Sequence, residues 1–118
     1  MKYWEAMLKG SKLRPQAFVS MFDGQGTCAV GAMFEGFFGK KALESCHMDA
    51  WRLVEDLNYK FGQIECPVCH ISWQMGNTLW HLNDIHKWSR ENIAYFLRSV
   101  EEPNRTIEEK KNVEELVA

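Results

Sequence analysis

Apolar residues recur at helical spacing along much of this chain. Tyr3, Trp4, Met7 and Leu8 fall on one face of a short helix that Gly10 can end. Arg14-Pro15-Gln16 breaks the pattern. Ala17 to Phe22 is a short apolar run that fits a strand or an extended loop, and Asp23-Gly24-Gln25-Gly26 reads as a turn. From Cys28 to Phe38 the chain is apolar nearly all round, which predicts a helix capped by Thr27, stopped by Gly39 and buried at the centre of the fold. Gly31 and Gly36 would let neighbouring elements approach it closely. Ala50, Val54, Leu57 and Phe61 mark a further helix from about Asp49, or from as early as Lys41, to Phe61, with Gly62 as its end. The clearest pattern is Ser89 to Glu101. Ser89 is the N-cap, Trp88 can staple onto Ile93, and Ile93, Phe96, Leu97 and Val100 form the inward stripe before Pro103. Thr106 to Leu116 is a weak acidic helix with a Thr106/Glu109 capping box.

These elements predict a mainly α, small single-domain protein with a short β element around residues 17–22 or 63–74. Residues 1–102 form one globular unit, with a finger-like segment at 63–88, and residues 103–118 form an acidic tail, weakly helical or disordered. Composition agrees: 46% hydrophobic and 25% charged residues over 118 positions are ordinary globular values, and five Trp, seven Phe and three Tyr give a small core much area to bury.

Charge narrows the functional classes. The net charge is −2, and no segment is strongly basic, so no phosphate-binding surface is announced. No signal peptide and no membrane-length apolar run is visible, so a cytoplasmic protein is expected. Four cysteines in a reducing compartment point to metal or free thiols before disulfides.

The chemistry concentrates between residues 66 and 86. Cys66 and Cys69 form a Cys-x2-Cys pair, and after eleven intervening residues His81 and His86 form His-x4-His. Two thiolates on a tight turn and two imidazoles on a following helix suit one structural zinc ion. Trp73 and Leu79 take the places of the aromatic and the leucine of an ordinary zinc finger, although the spacing is one residue short. His81 and His86 stand about 140° apart on an ideal helix, so that helix must end or distort near His86. His70 is a substitute fourth ligand. A thioredoxin-like pair would need a βαβ context that the pattern lacks. Cys28 reads as a buried small residue, and Cys46-His47 as part of a helix.

No Lys or Arg lies between Glu65 and His86, so the finger lacks the cations that nucleic-acid affinity requires. Residues 89–97 look like the first helix of a helix-turn-helix, but the next candidate helix carries Glu108, Glu109, Glu114 and Glu115. The pattern thus favours a zinc-stapled protein acting through protein contacts. A nucleic-acid-associated regulator is the alternative, and an enzyme is the least supported reading.

Two blocks resemble a group of small, uncharacterised bacterial and phage proteins. The first is Thr27-Cys28-Ala29-Val30-Gly31-Ala32, similar to C-A-L-G-A-A, preceded by Lys12-Leu13-Arg14-Pro15-Gln16. The second is His81-Leu82-Asn83-Asp84-Ile85-His86-Lys87-Trp88-Ser89-Arg90-Glu91 with Ile93-Ala94, similar to H-L-N-D-x-H-x-W-[ST]-R-E-x-I-A. The resemblance implies no particular activity. It does imply that Asn83 and Asp84 brace a helix junction, with Asp84 facing Arg90 as a local polar lock.

Overall fold

The protein is seen in a computed structural model that describes residues 1–45 and 47–103. Among these, six helices and one hairpin follow in order: α1 (Tyr3–Gly10), α2 (Ala29–Phe38), α3 (Ala42–Ser45), α4 (His47–Phe61), β1 (Gln63–Glu65), β2 (Ser72–Gln74), α5 (Met75–Asp84) and α6 (Arg90–Glu101). Cys46 and residues 104–118, with the Thr106/Glu109 capping box and the acidic tail, lie outside the described residues. None of the described helices is long and apolar enough to cross a membrane.

The all-round apolar stretch is indeed the centre. Every residue of α2 from Ala29 to Gly36 is buried. Its N-cap is Cys28 rather than Thr27: the Cys28 sulfur accepts from the Gly31 N–H at 3.4 Å. Thr27 is instead drawn inward, where its hydroxyl accepts from Arg90 at 2.8 Å. Helix α1 crosses α2 at the closest approach backbones allow. A Cβ on Gly10 would stand 1.6 Å from the Ala32 carbonyl oxygen, and one on Gly36 would stand 1.8 Å from that of Ala6. Only hydrogen fits at either position.

Helix α6 closes the other side of α1. The Glu101 carboxylate accepts from the N–H groups of Tyr3 (2.9 Å) and Trp4 (3.0 Å), so the C-terminal turn of one helix satisfies the free donors at the start of another. Ser89 caps α6 as expected, accepting from Asn92 N–H at 3.1 Å. The helix expected from about Asp49 to Phe61 forms as α4, starting at His47, and the earlier start near Lys41 corresponds to the separate short helix α3. Gly62 ends α4 at φ +65°, a value that suits glycine.

The β element forms at 63–74 and not at 17–22. Strands β1 and β2 pair antiparallel, Ile64 opposite Trp73. Residues 16–27 contribute only isolated bridges, Gln16 to Thr27 and Phe22 to Thr27. The apolar run at 17–22 therefore belongs to a long irregular connection between α1 and α2. Backbone in such a loop needs hydrogen-bond partners, and distant side chains supply them. The Arg90 guanidinium donates to the carbonyls of Ser11 (2.9 Å), Arg14 (2.5 Å) and Thr27 (3.3 Å). Partly buried Arg14 in turn grips fully buried Glu35 on α2, with Nε 2.9 and 3.1 Å from its carboxylate oxygens. The hydrophobic core runs on through Leu53, Leu57, Leu79, Leu82, Ile93 and Leu97, joining both halves of the chain.

Candidate metal centre

The hairpin presents its two cysteines from the turn between β1 and β2. Cys66 N–H donates to Ile71 O at 2.9 Å, and His70 N–H donates back to Cys66 O at 3.0 Å. His70 sits at φ +65° to close this tight loop. Helix α5 follows β2 directly. Thr78 Oγ1 bonds to the carbonyls of Ile64 (3.0 Å) and Trp73 (3.3 Å), tying the helix to both strands. Asn58 of α4 accepts from Gly76 N–H at 2.8 Å and fixes where α5 begins.

This frame brings Cys66, Cys69, His81 and His86 together, with one ligand atom from each lying within 4.8 Å of all the others. The helix does end where the spacing requires. Helix α5 stops at Asp84, and the His81 carbonyl accepts from both Ile85 (2.9 Å) and His86 (3.3 Å). The widened last turn swings His86 back toward His81, and their ring centroids stand 4.6 Å apart. Lys87, at φ +56°, then turns the chain toward α6. His70 stays outside the cluster, exposed, with Nδ1 3.5 Å from a Glu65 oxygen.

The spacing of two of the donors matches a tetrahedral metal ion. With metal–sulfur distances of about 2.3 Å and metal–nitrogen distances of about 2.0–2.1 Å, the sulfur–nitrogen edge of a regular tetrahedron is about 3.5–3.6 Å. Cys69 Sγ and His81 Nε2 stand 3.5 Å apart. The buried Nε2 of His86 has no hydrogen-bond partner among the described residues. Buried polar atoms are rarely left so, and a cation would satisfy this one. His81 is pushed below the usual imidazole range, first by burial and then by the nearby His86, which favours the neutral form that can bind metal. Trp73 covers His81, ring centroids 4.4 Å apart.

The residues around the cluster do not form the expected lock. Asp84 does not pair with Arg90; its Oδ1 accepts from Val19 N–H at 3.0 Å and from the Asn83 amide at 2.7 Å. Arg90 points the other way, into the 11–27 loop. Asn83 is fully buried, and its Oδ1 accepts from Gln16 (2.8 Å) and from Ala29 N–H (3.1 Å), while its amide also donates to Ala17 O (3.0 Å). Gln16 spans the same seam and donates to Trp88 O at 2.8 Å. The brace therefore joins α5 and its exit to the N-terminal loop rather than α5 to α6. Spacing could not reveal it, although two consecutive polar residues inside an otherwise apolar helix end were a signal. Cys28 is buried, and burial raises its thiol well above the usual range, which suits a packing role.

Fold and site together define a small, mainly α protein with a Cys2His2 cluster able to hold a metal ion. Compared with family models, curated proteins and solved structures, the chain has no match.

Proposed function

We propose that Cys66, Cys69, His81 and His86 hold one structural zinc ion, and that the protein acts by contact with a protein partner. The convergence of the four donors carries this reading. A two-sulfur, two-nitrogen tetrahedral set selects zinc over the hard divalent cations. Four protein ligands also close the shell, whereas catalytic zinc keeps an open position. Cys66 is fully buried, and the metal would pin a hairpin, a helix end and the chain leading to α6, all of which reach the core. The apparent free energy of structural zinc in small finger peptides is about 10–16 kcal/mol. Whole domains are stable by about 5–15 kcal/mol, so the ion is expected to decide whether the fold persists. For the contact role, the support is the set of exposed large apolar side chains on the finger segment, Val68, Ile71, Trp80 and Ile85, in a stretch with no Lys or Arg between Glu65 and His86.

Metal analysis of the purified chain tests the zinc reading, with Cys66→Ser and His81→Ala alongside. One zinc per chain, lost in both variants together with helical circular dichroism, is expected. A fully folded chain without metal would falsify the structural role.

A further inference from the structure

Two adjoining hollows flank Trp80 on the outer side of α5. The first holds about 200 Å³, with Met21, Cys28, Val30 and Val54 within it and the half-exposed rings of Trp51 and Trp80 at its sides. The second holds about 320 Å³ and shares Trp80 and Asn77 with the first. Asp84 lies in the second hollow and reaches the first through its bond to Val19 N–H. We propose that these hollows dock a peptide segment of a partner protein, presenting one aromatic or large aliphatic side chain with a Lys or Arg close beside it. The proposal rests on the partner-contact reading above and names the surface it would use.

Size, charge and backbone conformation each select that occupant. Sites for free small molecules usually measure about 300–1,000 Å³. The apolar hollow, at about 200 Å³, lies below that range and suits a single anchoring side chain, while the 320 Å³ hollow beside it leaves room for the flanking cation next to Asp84. Tryptophan is among the side chains that most often carry binding energy at protein interfaces. Among the described residues, Asp84 is the one carboxylate lining either hollow, and no described Lys or Arg lines them. Its Oδ1 is engaged twice, but no described residue donates to its Oδ2. Lys87, three residues on, is held over the Phe18 ring at 4.3 Å. A cation from a partner would complete Asp84. Val19, at the rim, is held at φ +73° and is 75% exposed. A β-branched residue in that region costs about 1–3 kcal/mol and persists only where its surroundings impose it. Asp84 imposes it here, so one carboxylate both shapes the rim and charges it.

The test uses the zinc-loaded full chain to select from a phage-displayed random peptide library. Recovered sequences are synthesised with fluorescein and titrated by anisotropy against the wild-type chain, Trp80→Ala and Asp84→Asn. Asparagine keeps the acceptor for Val19, and Trp80 is 46% exposed, so both variants should retain wild-type zinc content and circular dichroism. The recovered sequences should share an aromatic or large aliphatic residue beside Lys or Arg. Trp80→Ala should weaken binding at least about tenfold. Asp84→Asn should weaken it about threefold to tenfold and flatten its salt dependence. Binders insensitive to both changes overturn the surface and leave the partner-contact reading standing, whereas the absence of any binder overturns both. A concentration-dependent dimer dissolved by Trp80→Ala, or tryptamine binding as tightly as the peptides, replaces the partner segment with a second copy or a small amine.

Discussion

At the scale of single residues, a few buried polar groups hold what the apolar pattern leaves loose. Asn83 serves the backbone of Ala17 and Ala29 and the side chains of Gln16 and Asp84. Asn83→Ala strands several of these groups at about 1–3 kcal/mol each. A loss of about 2–5 kcal/mol is expected in urea unfolding, with zinc stoichiometry retained at saturating metal. The His81 imidazole sets a pH dependence whose sign follows from its lowered pKa. Between that lowered value and the ordinary 6.5, the unfolded chain binds more protons than the folded one. The stability concerned is fully present above about pH 6.5 and drains away as pH falls toward the folded value. Metal binding requires neutral imidazoles and thiolates and adds in the same direction. Urea midpoints of the zinc-loaded protein should therefore fall as the pH is lowered from 8 to 5.

At the scale of elements, helix positions were legible because periodicity and end signals agreed. Residues 89–101 had an N-cap, an apolar stripe and a proline stop, and α6 formed there. The buried α2 was equally plain, since no polar face existed to turn outward. Residues 17–22 were not legible, because a short apolar run looks alike in a strand and in a pinned loop. The partners that decide it, Asn83 on Ala17 and Asp84 on Val19, lie more than sixty residues away. The metal ligands were legible as residue types at a spacing. The way His86 returns to His81 was not, since it depends on one carbonyl receiving two N–H groups. The crossing of α1 and α2 makes its own prediction. Gly36→Ala sets a methyl against the Ala6 carbonyl, which is backbone and cannot step aside. It should cost about 3 kcal/mol or more, the upper end of overpacking. Gly39→Ala meets nothing within 4 Å and pays only for its φ of +104°, about 1–3 kcal/mol. Thermal denaturation of the two variants side by side gives the order.

At the scale of the whole molecule, hairpin, α5 and N-terminal loop are joined by packing and by the Asn83 and Arg90 bonds. Removing the metal should therefore not melt the hairpin alone. Chelation of the zinc-loaded chain is expected to abolish helical ellipticity and shift tryptophan emission in a single coincident transition. Tryptophans on α1, α4, β2 and α5 report from every quarter of the fold. A two-step loss, with emission changing before ellipticity, would show that the cluster stabilises only its own neighbourhood.

The reach of Arg90 also bears on how the protein is born. Its partners at Ser11, Arg14 and Thr27 precede it by 79, 76 and 63 residues. A ribosome adding about 5–20 residues per second takes several seconds to cover that distance. Throughout the interval the 11–28 segment is made but lacks the Arg90 bonds that close it, and α2 lacks the cover of α6. His81 and His86 are synthesised just before Arg90. Metal capture and loop closure therefore fall in the same late moment of synthesis, and a nascent chain halted short of residue 90 would be a client for chaperones rather than a half-finished domain.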